Sequence, residues 1–304
     1  MTLPQQVHIT EVGPRDGLQN EARNLPTADK IRLIEQLAGA GCREIEVTSF
    51  VNPKAIPNLS DAAEVVAATA GLALTRYALI PNTKGYERAH ASGIEGVTLV
   101  LSATDSHNRK NLNCTTAESI DDLLPLYQRA TSDGLATRVS ISMVFGCPFE
   151  GNPGIEKIEQ LIDTMAAKGF RRFGLCDTIG IAHPLQVHDW MTRLLEKFSE
   201  LEFELHLHNT YGRGLANVMA GLQAGVRRFD SCIGGMGGCP YAPGATGNIA
   251  TEDLVAMLDG AGIATGITLD AALATSDFLA EQLNTRLHSN IWQVHDAQRR
   301  LQTA

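Results

Sequence analysis

No two cysteines in this chain are spaced as CxxC. The six present (Cys42, Cys114, Cys147, Cys176, Cys232, Cys239) therefore do not read as a structural zinc site. No apolar run reaches the roughly 18 residues that would suggest a membrane span. Met1 to Gln6 carry neither an apolar signal core nor an Arg-rich transit pattern, so the thiols are expected to be reduced in a cytoplasm. There is no basic stripe, which excludes nucleic acid as a partner. The formal net charge of −9 is spread without blocks and reads as solubility. The GxGxxG fingerprint of a dinucleotide fold is missing after the first strand-like run. What remains is a 304-residue chain, 44% hydrophobic and 19% charged, in the ordinary range for a globular enzyme.

Strand-like and helix-like runs alternate eight times. The strand candidates are residues 7–12, 44–50, 74–80, 96–102, 138–145, 172–177, 203–208 and 228–233. Several are nearly continuous apolar runs, as expected of parallel strands buried on both faces. Amphipathic stretches lie between them, for example 27–40 with Ile31, Ile34, Leu37 and Ala38 at helical spacing. Several of these end in glycine just before the next strand (Gly41, Gly93, Gly134, Gly169, Gly225), a C-cap signal. Eight such units predict an α/β fold, a (β/α)8 TIM barrel, with a doubly wound sheet as the rival. The barrel is expected over about 7–262. The remaining residues, about 263–304, form two additional C-terminal helices, and with no linker in sight the whole chain reads as a single catalytic domain.

In such a barrel, chemistry collects at the carboxyl ends of the strands. There the sequence places Arg15 and Asp16, Glu46 with Thr48 and Ser49, Asp177, and His206 with His208 and Asn209; after the eighth strand come Cys239 and Asn248. His206 and His208 stand at i and i+2 of one strand and share a face. By itself such a pair is as often structural as functional. With Asp16, and Asn248 as a further oxygen donor, it offers a thiolate-free nitrogen and oxygen set. That set favours Mg²⁺ or Mn²⁺ and also accepts Zn²⁺ or Fe²⁺. Arg15 reads either as a salt bridge orienting Asp16 or as a fixed cation for charge developing on an oxygen. Glu46, a carboxylate in an apolar strand, reads either as the partner of Arg15 or as a proton-handling group. The run from Gly234 to Asn248 is rich in glycine and reads as a mobile lid or as a flexible connection. Cys239 would lie in it as a thiol able to donate or accept a proton.

These segments closely resemble 3-hydroxy-3-methylglutaryl-CoA lyases. The resemblance is carried by Val12-Gly13-Pro14-Arg15-Asp16-Gly17-Leu18-Gln19-Asn20-Glu21, Glu46-Val47-Thr48-Ser49-Phe50, Gly146-Cys147-Pro148-Phe149-Glu150-Gly151, Asp177-Thr178-Ile179-Gly180 and the glycine-rich run through Asn248-Ile249-Ala250-Thr251-Glu252-Asp253. It implies a metal-dependent lyase that cleaves a 3-hydroxyacyl-CoA by retro-Claisen chemistry. The resemblance also implies roles. Asp16, His206, His208 and Asn248 match metal ligands, and Arg15 matches the arginine that stabilises the enolate. Cys239, Glu46 and Asp177 match the lid cysteine and two acidic residues of the pocket, and Arg109-Lys110 matches a basic pair for CoA phosphates. Two departures stand out. Asn209 follows His208 where the family usually has aspartate, and Ala22 follows the first motif where lysine is frequent. The implied partner is an acyl-CoA, with no nucleic acid and no membrane. The oligomeric state stays open, a homodimer among the options.

Rival activities fit less well. A Claisen synthase of this group usually carries a further regulatory domain, for which the last 40 residues leave no room. A Schiff-base aldolase needs a strand-end lysine, and the sixth strand ends in Asp177. An iron oxygenase would leave Arg15 and Cys239 unexplained. A non-catalytic, metal-stabilised binding protein is the remaining alternative, and turnover assays separate it.

Overall fold

The apolar runs pair side by side in chain order. In this computed structural model, which describes residues 3–238 and 247–303, eight parallel strands close into one barrel. They are β1 (His8–Glu11), β2 (Glu44–Ser49), β3 (Thr75–Leu79), β4 (Gly96–Ser102), β5 (Ala136–Ser142), β6 (Arg172–Asp177), β7 (Glu202–Leu207) and β8 (Arg228–Ser231). β8 pairs with β1 to close the ring, with His8 opposite Arg228 and Glu11 opposite Ser231. The expected (β/α)8 architecture is therefore the observed one, and the doubly wound alternative falls. Strand ends differ from expectation by a few residues. The largest difference is in β5, which starts at Ala136 and stops at Ser142, because Met143 turns the chain with a left-handed φ of 62°.

Helices follow each strand and cover the barrel: α1 (Thr27–Ala40), α2 (Ala62–Ala68), α3 (Thr83–Ala91), α4 (Asp105–Leu112), α5 (Thr116–Ser132), α6 (Ile155–Ala167), α7 (Pro184–Lys197), α8 (Gly214–Ala224) and α9 (Thr251–Gly260). The α1 helix buries Leu33, Ile34 and Leu37 against the sheet and ends at Gly41 with φ 112°. A Cβ at Gly41 would lie 2.0 Å from the Gly266 carbonyl, so close approach as well as dihedral angle demands glycine there. The short α4 is an insertion before α5. The α5 helix begins with a full capping box between Thr115 and Glu118.

The expected C-terminal pair is present as α10 (Leu269–Leu283) and α11 (Asn290–Thr303). They fasten to the start of α9. Asp253 accepts hydrogen bonds from the backbone N–H of Asn290 and Ile291 and from Ser289 Oγ, and Ser276 of α10 donates to the buried Glu252. Glu252 in turn accepts from the backbone N–H of Gly234, and His288 N donates to Gly234 O. The two extra helices thus hold the root of the glycine-rich run. Among the described residues, no helix is long and apolar enough to cross a membrane.

Inward-facing residues of the barrel alternate along each strand. Here that interior is charged. Arg138 of β5 is fully buried and donates to Thr98, Glu204 and Asp230, and reaches Glu46 at 3.4 Å. Below it Arg172 joins Glu44, Glu204 and the Tyr77 hydroxyl. Acids and guanidinium groups satisfy one another in a stack that rises through the barrel to its carboxyl-end mouth.

Candidate active site

Immediately after β1 the chain makes a tight helical turn, Gly13–Gly17, in which the N–H groups of Asp16 and Gly17 both point to the Val12 carbonyl. Pro14 fits the first turn, where its missing N–H is not needed. This turn presents Arg15 and Asp16 at the barrel mouth. From β7, His206 points into the same space, and His208 follows it at the strand's end. The ligand atoms of Asp16, His206 and His208 lie within 4.8 Å of one another. Both imidazole Nε2 atoms face each other at 3.2 Å, and His206 Nε2 lies 3.9 Å from Asp16 Oδ2.

This arrangement fits a divalent cation. His206 Nδ1 is 3.0 Å from Asp230 Oδ2, so the ring donates its Nδ1–H to that carboxylate and turns the Nε2 lone pair toward Asp16 and His208. Among the described residues, His208 Nδ1 is buried without a hydrogen-bond partner, so that ring is held only through what it faces at Nε2. The donors are two imidazole nitrogens and a carboxylate, without thiolate. Asn248 closes the far side. Its Nδ2 donates to Asp16 Oδ2 at 2.7 Å and to the Met236 carbonyl. To offer its oxygen to the cluster, the amide must make a half-turn about its last bond.

Electrostatics follow from burial and pairing. Burial works to raise the Asp16 carboxyl, but the Arg15 guanidinium, then His206 and His208, hold it well below the usual carboxylate range. Burial, then His206, pushes His208 down to about 4, leaving it neutral as a ligand requires. His206 moves the other way: burial would lower it, but its hydrogen bond and charge contact with Asp230, joined by the Asp16 charge, raise it on balance. Burial would raise Glu46, but Arg15 and Arg138 together keep it ionised. Each of its oxygens is engaged, Oε2 by Arg15 Nε and Oε1 by Arg138 Nη2. Arg15 Nη1 donates to Asp16 Oδ1 at 2.6 Å.

Asp177 ends β6. Burial raises its carboxyl to about 6, against hydrogen bonds from the backbone N–H of Ala182, Ile181 and Gly180. The sheet register pairs Cys176 with His206 and Asp177 with Leu207, so Cys176 stands on the His206 face and the Asp177 carboxylate caps the turn after β6. Arg109 and Lys110 lie exposed in the last turn of α4, where Lys110 Nζ sits 4.0 Å from the centre of the Phe149 ring. Cys239 lies outside the described residues.

A cavity of about 390 Å³ opens over this cluster. Arg15, Asp16, His206 and His208 line its floor, and Gln19 and Asn20 border it. It extends over an apolar shelf that includes Val51, Ile56, Leu79 and Leu112 toward α4. Gly237 forms part of its wall with φ 90°. A Cβ there would lie 2.6 Å from Asn248 Nδ2, so the chain can pass this close to the cluster only as glycine. A second hollow of about 520 Å³, between α10 and α11, contains none of these groups.

A family model described as HMGL-like matches residues 6–279. The chain belongs to the HMGL-like family. It is 43% identical over 295 residues to hydroxymethylglutaryl-CoA lyase YngG of Bacillus subtilis, covering 97% of this chain and 99% of that protein. It is 41% identical over 294 residues to the mitochondrial hydroxymethylglutaryl-CoA lyase of Mus musculus, covering 96% and 90%. The crystal structure of the Bacillus subtilis HMG-CoA lyase superimposes with a TM-score of 0.94, over 97% of this chain and all of that one. An HMG-CoA lyase from Acinetobacter baumannii, solved with coenzyme A and 3-methylmalate, is 40% identical. It superimposes with a TM-score of 0.90 over 96% of each chain.

Asn209 has a local role. Its Oδ1 accepts the Gly214 N–H at 3.0 Å at the start of α8, and its own N–H donates to the Gly247 carbonyl. The side chain works at a helix N-terminus rather than on the metal cluster. Sequence reasoning missed Asp230, Arg138 and Glu204. A usable signal existed: Glu44 and Glu46, Glu204 and His206, and Arg228 and Asp230 are ionisable residues at i and i+2 of buried strands. Such spacing puts both members of each pair on the inner face.

Proposed function

We propose that this protein is a metal-dependent carbon–carbon lyase that cleaves 3-hydroxy-3-methylglutaryl-CoA to acetyl-CoA and acetoacetate. The observation that carries the reading is the convergence of Asp16, His206 and His208 beside the buried Arg15, on the floor of a cavity whose lining extends to α4. The named relatives, and coenzyme A in one of their structures, support an acyl-CoA as substrate.

Asp16, His206 and His208, with Asn248 turned to offer its oxygen, would hold Mg²⁺ or Mn²⁺. When bound, the ion supplies Lewis-acid polarisation and lowers the pKa of a substrate hydroxyl. The residues then divide the remaining work. A base takes the tertiary hydroxyl proton. Asp177, raised to about 6, suits that task at neutral pH better than Glu46, which two guanidinium groups hold ionised. Asp177 is not among the residues lining the cavity, so it would act through a relay of water. Breaking the C2–C3 bond turns the hydroxyl-bearing carbon into a ketone and leaves the electron pair on the acetyl thioester as its enolate. Arg15 is already fixed by Glu46 and Asp16, so its charge meets the enolate oxygen without reorganisation. One proton returned to C2 completes acetyl-CoA, and Cys239 is the proposed donor. Arg109 and Lys110, exposed on α4 next in sequence to the cavity-lining Asn111 and Leu112, would supply positive charge for the CoA phosphates.

The test is kcat/KM over a series of 3-hydroxy-3-alkylglutaryl-CoA esters with Mg²⁺ or Mn²⁺. The methyl compound is expected to be preferred. A hundredfold preference for another member would keep the lyase class and overturn the substrate, and no cleavage of any member would overturn the class.

A further inference from the structure

The interior charge stack ends directly beneath the two working parts of the site. Arg138 is fully buried, and its Nη1 donates to Asp230 Oδ1 at 2.8 Å and to Glu204 Oε1 at 2.7 Å. The other oxygen of Asp230 holds His206 Nδ1 at 3.0 Å. Through Nη2 the same guanidinium approaches Glu46 Oε1 at 3.4 Å, and the other oxygen of Glu46 holds Arg15 Nε. Arg15 reaches back to Asp16, which faces His206. The contacts form a ring, from Arg138 through Asp230 and His206 on one side and through Glu46, Arg15 and Asp16 on the other.

We propose that Asp230 and Arg138 are positioning residues: Asp230 fixes the His206 tautomer that leaves Nε2 free for a metal, and Arg138 holds Asp230 and Glu46 in one fork, so that the metal cluster and Arg15 are set relative to each other by a single buried side chain. This rests on the metal-dependent reading above.

The chemistry is specific to these atoms. A carboxylate at Asp230 only accepts, so the imidazole must place its proton on Nδ1. An asparagine amide would still accept from Arg138 through its oxygen while turning its NH₂ toward His206. The ring proton would then move to Nε2, the nitrogen facing Asp16 and His208, where it blocks ligation. Arg138 is equally hard to replace. Its planar fork serves Asp230, Glu204 and Glu46 together, whereas a lysine carries the charge at one point. Thr98 Oγ1 accepts its Nε–H at 2.9 Å, which fixes the plane of the fork.

The experiment compares Asp230→Asn and Arg138→Lys with wild type in the full-length protein. Mn²⁺ binding is followed by electron paramagnetic resonance and thermal unfolding without metal by circular dichroism. For Asp230→Asn, Mn²⁺ affinity is expected to fall roughly 10- to 100-fold, as for other residues that orient a metal-bound histidine. For Arg138→Lys, Mn²⁺ affinity and kcat at saturating Mn²⁺ are expected to fall together, because both arms of the ring lose their common support. A purely structural role would lower the melting temperature and leave Mn²⁺ affinity unchanged, which overturns the proposal. If Asp230→Asn does not fold, long-range ¹⁵N correlation spectra of ¹⁵N-histidine wild type above pH 8 decide the point. The His206 signal is identified by its loss in His206→Ala. An Nδ1–H tautomer is expected, and an Nε2–H tautomer overturns the proposal. Wild type that binds no Mn²⁺ contradicts the metal-dependent reading itself, a result distinct from equal binding by wild type and variant.

Discussion

Replacing Arg15 by methionine removes one guanidinium from two carboxylates at once, and the two consequences can be separated. The first is stability. Glu46 is fully buried and would keep Arg138, at 3.4 Å, and its hydrogen bond with Thr98. Breaking a buried ion pair costs about 3–5 kcal/mol, and the surviving contact to Arg138 places this case near the lower end, about 3 kcal/mol. In a chain of this size that corresponds to a fall in Tm of roughly 5 °C. The second is chemical. Loss of one preorganised charge contact to a developing oxyanion lowers kcat about 10²–10³-fold, or about 2.7–4 kcal/mol. Adding Glu46→Gln to Arg15→Met removes the carboxylate left short of cations. The double variant is therefore expected to regain most of the lost Tm and none of the lost rate. The assay pairs thermal unfolding with initial rates of acetyl-CoA release at saturating Mg²⁺. A double variant that recovers kcat to within about threefold of wild type would refute the reasoning, because the rate loss would then have come from instability rather than from the missing charge.

Other perturbations report on separate features. Alkylation of Cys239 is expected to inactivate the enzyme, with a bound substrate analogue slowing the reaction; peptide mapping that finds Cys239 unmodified in an inactivated sample would contradict its role. Asn209→Asp is expected to change metal affinity and substrate preference by less than about threefold, since an aspartate can accept the same Gly214 N–H and a negative charge suits a helix N-terminus. A tenfold change in either would show that residue 209 acts on the cluster. Glu11 is buried, which raises its carboxyl to about 7 against hydrogen bonds from Thr251, Ile233 and Gly13. Because the native value lies above the unfolded one, the native state binds this proton more tightly. The stabilisation is complete below pH 4.5 and is lost as pH rises through 7. Glu11→Gln carries no such loss, so its Tm relative to wild type is expected to rise between about pH 5 and about pH 8, and a constant difference would count against the raised value.

The barrel was legible because its strands are apolar runs separated by helices that end in glycine, and all five of the glycines singled out adopt positive φ. The convergence of Asp16 with His206 and His208 was legible too, because strand periodicity and the barrel's carboxyl-end rule together place them. The charged interior was not. Arg138 and Glu204 alternate with apolar neighbours along β5 and β7, and only the closed ring brings the inner faces of β2, β5, β7 and β8 onto one axis. Strand-end assignment alone also left the direction of Asp177 open. It is the register with β7 that puts Cys176 on the His206 face. The insertion of α4 escaped notice because Asp105–Leu112 has little apolar periodicity; its Asn108 is fixed by tertiary bonds to Ser102, Cys114 and Ser119.

The most direct measurement incubates metal-stripped protein with 3-hydroxy-3-methylglutaryl-CoA, with and without added Mg²⁺, and quantifies both products. Equal amounts of acetyl-CoA and acetoacetate are expected with the metal and none above background without it. Products that form equally well after chelation, or no products with any divalent ion, would contradict the account.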